Sequence, residues 1–127
     1  LVEALAEYLH QLVRRDLWGY SPDEHLTNEQ LMKEQYRGIR PAPGYPSCPE
    51  HTVKSDLFSI LKCEEIGMSL TESYAMSPTA SITGFYFAHP EAHYFTLGKI
   101  GKDQVTDMAK RRRVSEEQIE QWLAPVL

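Results

Sequence analysis

The segment Gly38-Ile39-Arg40-Pro41-Ala42-Pro43-Gly44-Tyr45-Pro46-Ser47-Cys48-Pro49 limits what this chain can fold into more than any other, because four of its twelve residues are prolines and two are glycines. Proline has no amide proton and clashes with a helical predecessor, so neither a helix nor a central strand survives that density. Each proline also fixes its own φ and pushes the residue before it toward extended conformations. The expectation is a stiff, extended loop. Arg40, Tyr45 and Cys48 stand among the prolines, which marks the segment as a binding loop and not as an interdomain linker.

Regular structure is expected on both sides of the loop. From Leu1 to Leu17 the residues Leu1, Leu5, Tyr8, Leu9, Leu12 and Val13 recur at helical steps and predict a buried apolar face, with Glu3, Glu7, Arg14 and Arg15 on the polar face. Thr27 as N-cap, Gln30 as its capping-box partner and the Leu26/Leu31 staple open a second helix, expected to reach about Tyr36. A third spans Ser55 to Cys63. Met68 to Met76 alternates with a period of two and predicts a strand, and the runs Ala80–Ala88 and His93–Ile100, separated by His89-Pro90-Glu91-Ala92, predict a hairpin. Two helices close the chain, Asp103–Arg113 and one opened by the staple and capping-box pattern Val114-Ser115-Glu116-Glu117-Gln118-Ile119. This order gives an α+β fold in one domain, a small antiparallel sheet flanked by helices.

Several functions are disfavoured by composition and motif. Thirteen Lys and Arg against eighteen Asp and Glu give a net charge of −5, which argues against nucleic acid as a partner. The last two helices resemble a helix-turn-helix in outline, but the second opens with Ser115, Glu116 and Glu117, whose charges repel phosphate and suit the helix dipole. A basic end of the first facing an acidic start of the second is the better reading. No apolar run approaches a membrane span. Two cysteines are too few for a disulfide framework, so a reducing cytoplasm is expected. Cys48 and His51 are three apart, yet structural zinc needs four ligands, and metal binding is not expected. Phosphate-binding loops, dinucleotide fingerprints and nucleophile elbows are absent from the sequence.

The ligand chemistry must therefore come from the loop. Arg40 offers five donors in a fixed fork suited to a carboxylate, and Pro41 and Pro43 brace it. Ala42 and Gly44 leave room for a flat ligand against the backbone, and Tyr45 adds an aromatic surface. A carboxylate with a planar ring describes an amino-acid-bearing nucleotide. The competing reading is that Arg40 pairs with an internal carboxylate such as Glu34.

The run from Arg40 to His51 resembles the signature of the C-terminal activation domain of cobalamin-dependent methionine synthase, the domain that binds S-adenosylmethionine. Trp18-Gly19-Tyr20, Thr71-Glu72-Ser73-Tyr74-Ala75-Met76, Ala80-Ser81-Ile82-Thr83-Gly84-Phe85-Tyr86-Phe87, His89-Pro90, Asp103-Gln104-Val105 and Trp122-Leu123-Ala124-Pro125 follow in that family's order. The resemblance covers essentially the whole chain. It implies a C-shaped α+β domain about twice this length or more, of which residues 1–127 are the C-terminal portion. Leu1 begins the chain without an initiator Met, which also suggests a piece of something larger, with the apolar face of Leu1 to Leu17 short of some cover.

The resemblance further implies that Arg40 receives the methionine carboxylate, that the backbone around Ala42 and Gly44 lines the ligand, and that Tyr45 lies near the sulfonium. Glu3 and Glu34 match acidic positions near the ligand, where a carboxylate favours a cation. Tyr94 and Phe95 match the pair whose backbone meets the adenine. S-adenosylmethionine is the implied ligand here. Cobalamin, and zinc for homocysteine, are implied on other domains, and no catalytic residue is expected in this chain. The implied role is to support reductive methylation of Co(II) cobalamin in methionine biosynthesis, with the cobalamin-binding domain and a flavodoxin or diflavin reductase as partners. An aspartate that the family supplies from the other half of its domain has no counterpart here, so weak binding and no catalysis are expected of the chain alone. The alternative is a non-catalytic ligand-binding or partner-docking module that keeps the fold.

Overall fold

A helix forms at the start of the chain as expected, but of its predicted apolar face only Val13 is buried, and the polar His10 and Arg14 are buried beside it. The computed structural model describes residues 1–127 and shows α1 (Val2–Leu12) widening into a π-turn over Val13–Leu17. Leu1, Leu5, Tyr8 and Leu9 are exposed, whereas His10 and Arg14 are fully buried. Glu3, Glu7, His10 and Arg14 follow at steps of four, three and four and so share one side of the helix. Beyond the exposed Glu3, that side turns inward because its polar groups find partners there: Glu7 and His10 meet Arg40, and Arg14 meets Glu24.

Helix α2 (Asn28–Met32) starts on the expected capping box: the Gln30 amide donates to Thr27 Oγ1 at 3.3 Å and the Thr27 amide to Gln30 Oε1 at 2.8 Å. It stops well short of Tyr36. Glu34 takes a left-handed φ of 54°, and the chain turns so that Tyr36 is buried beneath the Arg14 guanidinium, 4.3 Å from the ring centre, and edge-on to His10. Tertiary packing of one aromatic outweighs the last turn of a weak helix. Thr27→Ala is expected to lower stability by about 1 kcal/mol. Urea unfolding would show this as a lower midpoint at unchanged slope.

Only the start of the proline loop, Ile39 to Pro41, is extended and paired, and the rest is folded into turns. Ile39 and Phe87 exchange two backbone hydrogen bonds of 2.9 Å, and the Phe85 amide donates to the Pro41 carbonyl at 3.0 Å. There the ladder ends, since Pro41 and Pro43 have no N–H to return. Close approach requires glycine on both sides: a Cβ on Gly38, whose φ is 82°, would lie 2.1 Å from the Phe87 oxygen, and one on Gly84 would lie 2.6 Å from the Pro41 oxygen.

The strand expected over Met68–Met76 is instead a hairpin of β1 (Ser69–Leu70) and antiparallel β2 (Met76–Ser77). Thr71 closes it: its amide donates to the Ala75 carbonyl at 2.9 Å and its hydroxyl accepts from the Ala75 amide at 3.0 Å. A hydroxyl competing for backbone groups thus breaks an alternating pattern that reads as continuous strand. The runs Ala80–Ala88 and His93–Ile100 carry no strand and do not pair with each other, because the proline loop takes the edge of the first.

Helix α3 (Val53–Ile60) starts two residues earlier than expected and leads into a 3-10 turn at Cys63–Ile66. Helices α4 (Lys102–Arg112) and α5 (Glu116–Leu123) pack through Val105, Ala109, Ile119 and Leu123, the main apolar core. Ser115 caps α5 by accepting from the Gln118 amide at 3.2 Å, but the Gln118 side chain turns to Gln121, leaving half a capping box. Arg112 does not face the acidic start of α5. It reaches Glu50 at 2.6 Å and Thr52 at 2.8 Å, fastening the tail to the end of the proline loop. The architecture is α+β with a small antiparallel sheet, and no helix is long and apolar enough to cross a membrane.

Candidate functional site

Two consecutive turns shape the proline loop into the floor of a cavity. The Tyr45 amide donates to the Ala42 carbonyl at 3.3 Å, with Pro43 and Gly44 between them and Gly44 at φ 97°, the arrangement of a type II turn. The Cys48 amide then donates to the Tyr45 carbonyl at 2.9 Å around Pro46. Proline presets the first corner residue of each turn, and glycine supplies the positive φ.

The cavity above these turns measures about 710 Å³. Glu3, Glu34, Arg40, Ala42, Gly44, Tyr45, Tyr94 and Phe95 all line it, so every residue nominated from the sequence reaches the same space. They come from α1, the turn after α2, the proline loop and the run before α4. Ala42 and Gly44 contribute little bulk, while Tyr45 and Phe95 present largely exposed rings.

Arg40 has been placed by four side chains. Its Nη2 donates to Glu7 Oε2 at 2.5 Å, its Nη1 to Tyr36 Oη at 3.2 Å and to His10 Nδ1 at 3.0 Å, and its amide to Tyr94 Oη at 2.9 Å. The internal carboxylate is Glu7, not Glu34. Three of the five guanidinium N–H groups are used, which leaves Nε–H and one Nη2–H for a ligand. Burial works against the Arg40 charge, but the Glu7 hydrogen bond and the surrounding tyrosines outweigh it and hold its pKa above the usual value.

Because a guanidinium has only donors, His10 Nδ1 must accept, and its ring proton sits on Nε2, 3.3 Å from Tyr20 Oη. Burial, then the charges of Arg14 and Arg40, push His10 down to about 3, so the ring is neutral at pH 7. It stacks on Tyr86 and meets Tyr36 edge-on. Burial raises Tyr36 and Tyr86 above the usual phenol range, which keeps both as neutral hydroxyls.

His51 and Lys54 line another part of the cavity. Cys48 is raised by burial and by Glu50 and remains a thiol, and Cys48 and His51 belong to no cluster of three or more metal-ligating side chains.

Glu7, His10, Tyr36 and Lys54 were missed by sequence reasoning. The stripe Glu3, Glu7, His10 and Arg14 was the available signal for two of them, since four polar residues on one face of an amphipathic helix can mark a buried polar site as well as a solvated surface. Tyr36 and Lys54 carry no comparable signal.

The family model for the vitamin B12-dependent methionine synthase activation domain matches residues 1–113. Among solved structures, the MetH reactivation domain bound to AdoHcy superposes with a TM-score of 0.93 at 53% sequence identity, over 99% of this chain and 39% of that one. The chain thus spans about two fifths of the length of the chain it matches. On a family match that runs through both turns of the proline loop and every residue around Arg40, this chain belongs to the vitamin B12-dependent methionine synthase activation domain family.

Proposed function

We propose that residues 1–127 form the C-terminal portion of an S-adenosylmethionine-binding activation domain, and that the 710 Å³ cavity receives that ligand or S-adenosylhomocysteine. The observation that carries this reading is the convergence of all eight nominated residues on one cavity, with two guanidinium N–H groups of Arg40 unused. Arg40 takes the amino-acid carboxylate in a charge-assisted bond. The low-bulk backbone at Ala42 and Gly44 lies against the ligand, and the run at Tyr94 and Phe95 meets the adenine. Glu3 and Glu34 favour a positively charged sulfonium over the neutral thioether, a preference that rests on charge alone.

S-adenosylmethionine supplies an activated methyl group that can pass to a nucleophile without a general base. This chain therefore needs to bind and orient, not to move protons. In this proposal the acceptor is cobalamin on another domain of a cytoplasmic methyltransferase, with zinc elsewhere for homocysteine and a flavodoxin or diflavin reductase as electron donor. The chain alone does not complete the reaction.

Calorimetric titration of both nucleosides tests the reading on this chain and on a version extended to the length of the matched structure. Arg40→Ala is expected to weaken binding by about ten- to a hundredfold, the range for a hydrogen bond to a charged group. No heat from either unmutated protein would overturn the assignment.

A further inference from the structure

Lys54 is placed where a lysine is costly. It is 5% exposed, it stands in the first turn of α3 where the helix dipole disfavours a cation, and it forms no ion pair with any carboxylate. Its ammonium instead donates to the Tyr74 carbonyl at 3.0 Å and to His51 Nδ1 at 2.9 Å. The first bond anchors the nitrogen to the β1–β2 turn, and the second reaches a residue that lines the ligand cavity. Gly44 also comes close to the imidazole: a Cβ there would lie 2.2 Å from His51 Cε1.

We propose that Lys54 is a positioning residue for the ligand cavity, holding His51 as a neutral Nε2–H donor for an acceptor oxygen of the bound ligand. An ammonium has no lone pair, so His51 Nδ1 must accept and the ring proton must sit on Nε2. His51 is exposed, which leaves that Nε2–H open to solvent or to a ligand. Burial and the Lys54 charge both lower the His51 pKa, which keeps the ring from taking a second proton near pH 7. The Lys54 bond and the close approach of Gly44 restrict the ring although His51 is exposed, so less freedom is lost on binding.

The identity of the ligand rests on the S-adenosyl reading; the state of His51 does not. Long-range proton–nitrogen spectra of the 15N-labelled chain are expected to show His51 as a single Nε2–H tautomer. Lys54→Met should give tautomer averaging, and Lys54→Arg should restore the single form. Near-UV dichroism checks that each variant is folded, and the unmutated chain decides the tautomer even where Lys54→Met does not fold. An Nδ1–H or averaged ring in the unmutated chain, or an unchanged ring in folded Lys54→Met, would overturn the proposal. In the ligand arm, S-adenosylhomocysteine should bind about five- to tenfold more weakly to Lys54→Met and to His51→Phe, with no further loss in the double variant. Additive losses would show that Lys54 acts independently of His51, and would also overturn it. If the unmutated protein binds no nucleoside, the S-adenosyl reading fails while the tautomer result still decides the role of Lys54.

Discussion

Replacing Glu24 with alanine is expected to cost the chain about 3–5 kcal/mol of stability, the range for breaking one side of a buried ion pair. Arg14 is fully buried, and the Glu24 side chain is nearly so. The two are joined by three hydrogen bonds of 2.7 to 2.9 Å. Removing the carboxylate strands a guanidinium whose Nη1 already lacks a partner. The Tyr36 ring 4.3 Å away stabilises the charge by cation–π attraction, but no second anion is paired with it. The damage should spread to the cavity, because the same Tyr36 hydroxyl accepts from Arg40. Urea unfolding of Glu24→Ala, with the double variant Arg14→Met, Glu24→Met beside it, separates the two contributions: the double should recover much of the loss, since it leaves no buried charge. A loss below about 1 kcal/mol in the single variant would mean that Arg14 is solvated after all.

How much of this was legible in the sequence depends on which force decided each element. The proline loop could be read because covalent constraint acts locally: no tertiary context gives Pro41 or Pro43 an amide proton. Caps at Thr27 and Ser115 were legible for the same reason, being bonds between residues three apart. The two helices α4 and α5 were expected where they form. By contrast, the buried face of α1 was misread because hydrophobicity was taken as the guide, and here the partners of Glu7, His10 and Arg14 lie on distant segments. Leu1, Leu5, Tyr8 and Leu9 face outward in a chain that covers 39% of the matched structure's chain. Pairing of extended runs was likewise invisible: whether Phe87 joins the next run or Ile39 is settled by Gly38 and Gly84, which let two backbones approach, and not by the alternation of either run. Of the site, the loop, its motif and Tyr94 were readable, but Glu7, His10 and Tyr36, which hold the Arg40 guanidinium, were not, since nothing local connects Glu7 to a loop more than thirty positions on.

Lowering the pH from 6.5 to 5 is expected to destabilise the chain by about 1.5 kcal/mol through His10 alone, while ordinary carboxylates stay mostly ionised. The folded ring is held down at about 3 by burial and by Arg14 and Arg40, whereas in the unfolded chain it takes a proton near 6.5. Below that value the unfolded state binds more protons than the folded one, so stability falls as pH falls. The His10 contribution is complete above pH 6.5 and is lost down to about 3, with a limiting slope of about 1.4 kcal/mol per pH unit. His51, also depressed, acts with the same sign. His10→Gln retains an acceptor for Arg40 without a titrating ring, so its stability should be flatter across pH 6.5 to 5 even if lower overall. An unchanged slope in that variant would place the acid sensitivity elsewhere. Protonating His10 would also remove the acceptor that holds Arg40 Nη1 and set an imidazolium against a guanidinium. Because the folded ring takes its proton only near 3, that step follows the loss of stability, and the folded chain should keep its Arg40 geometry through pH 5.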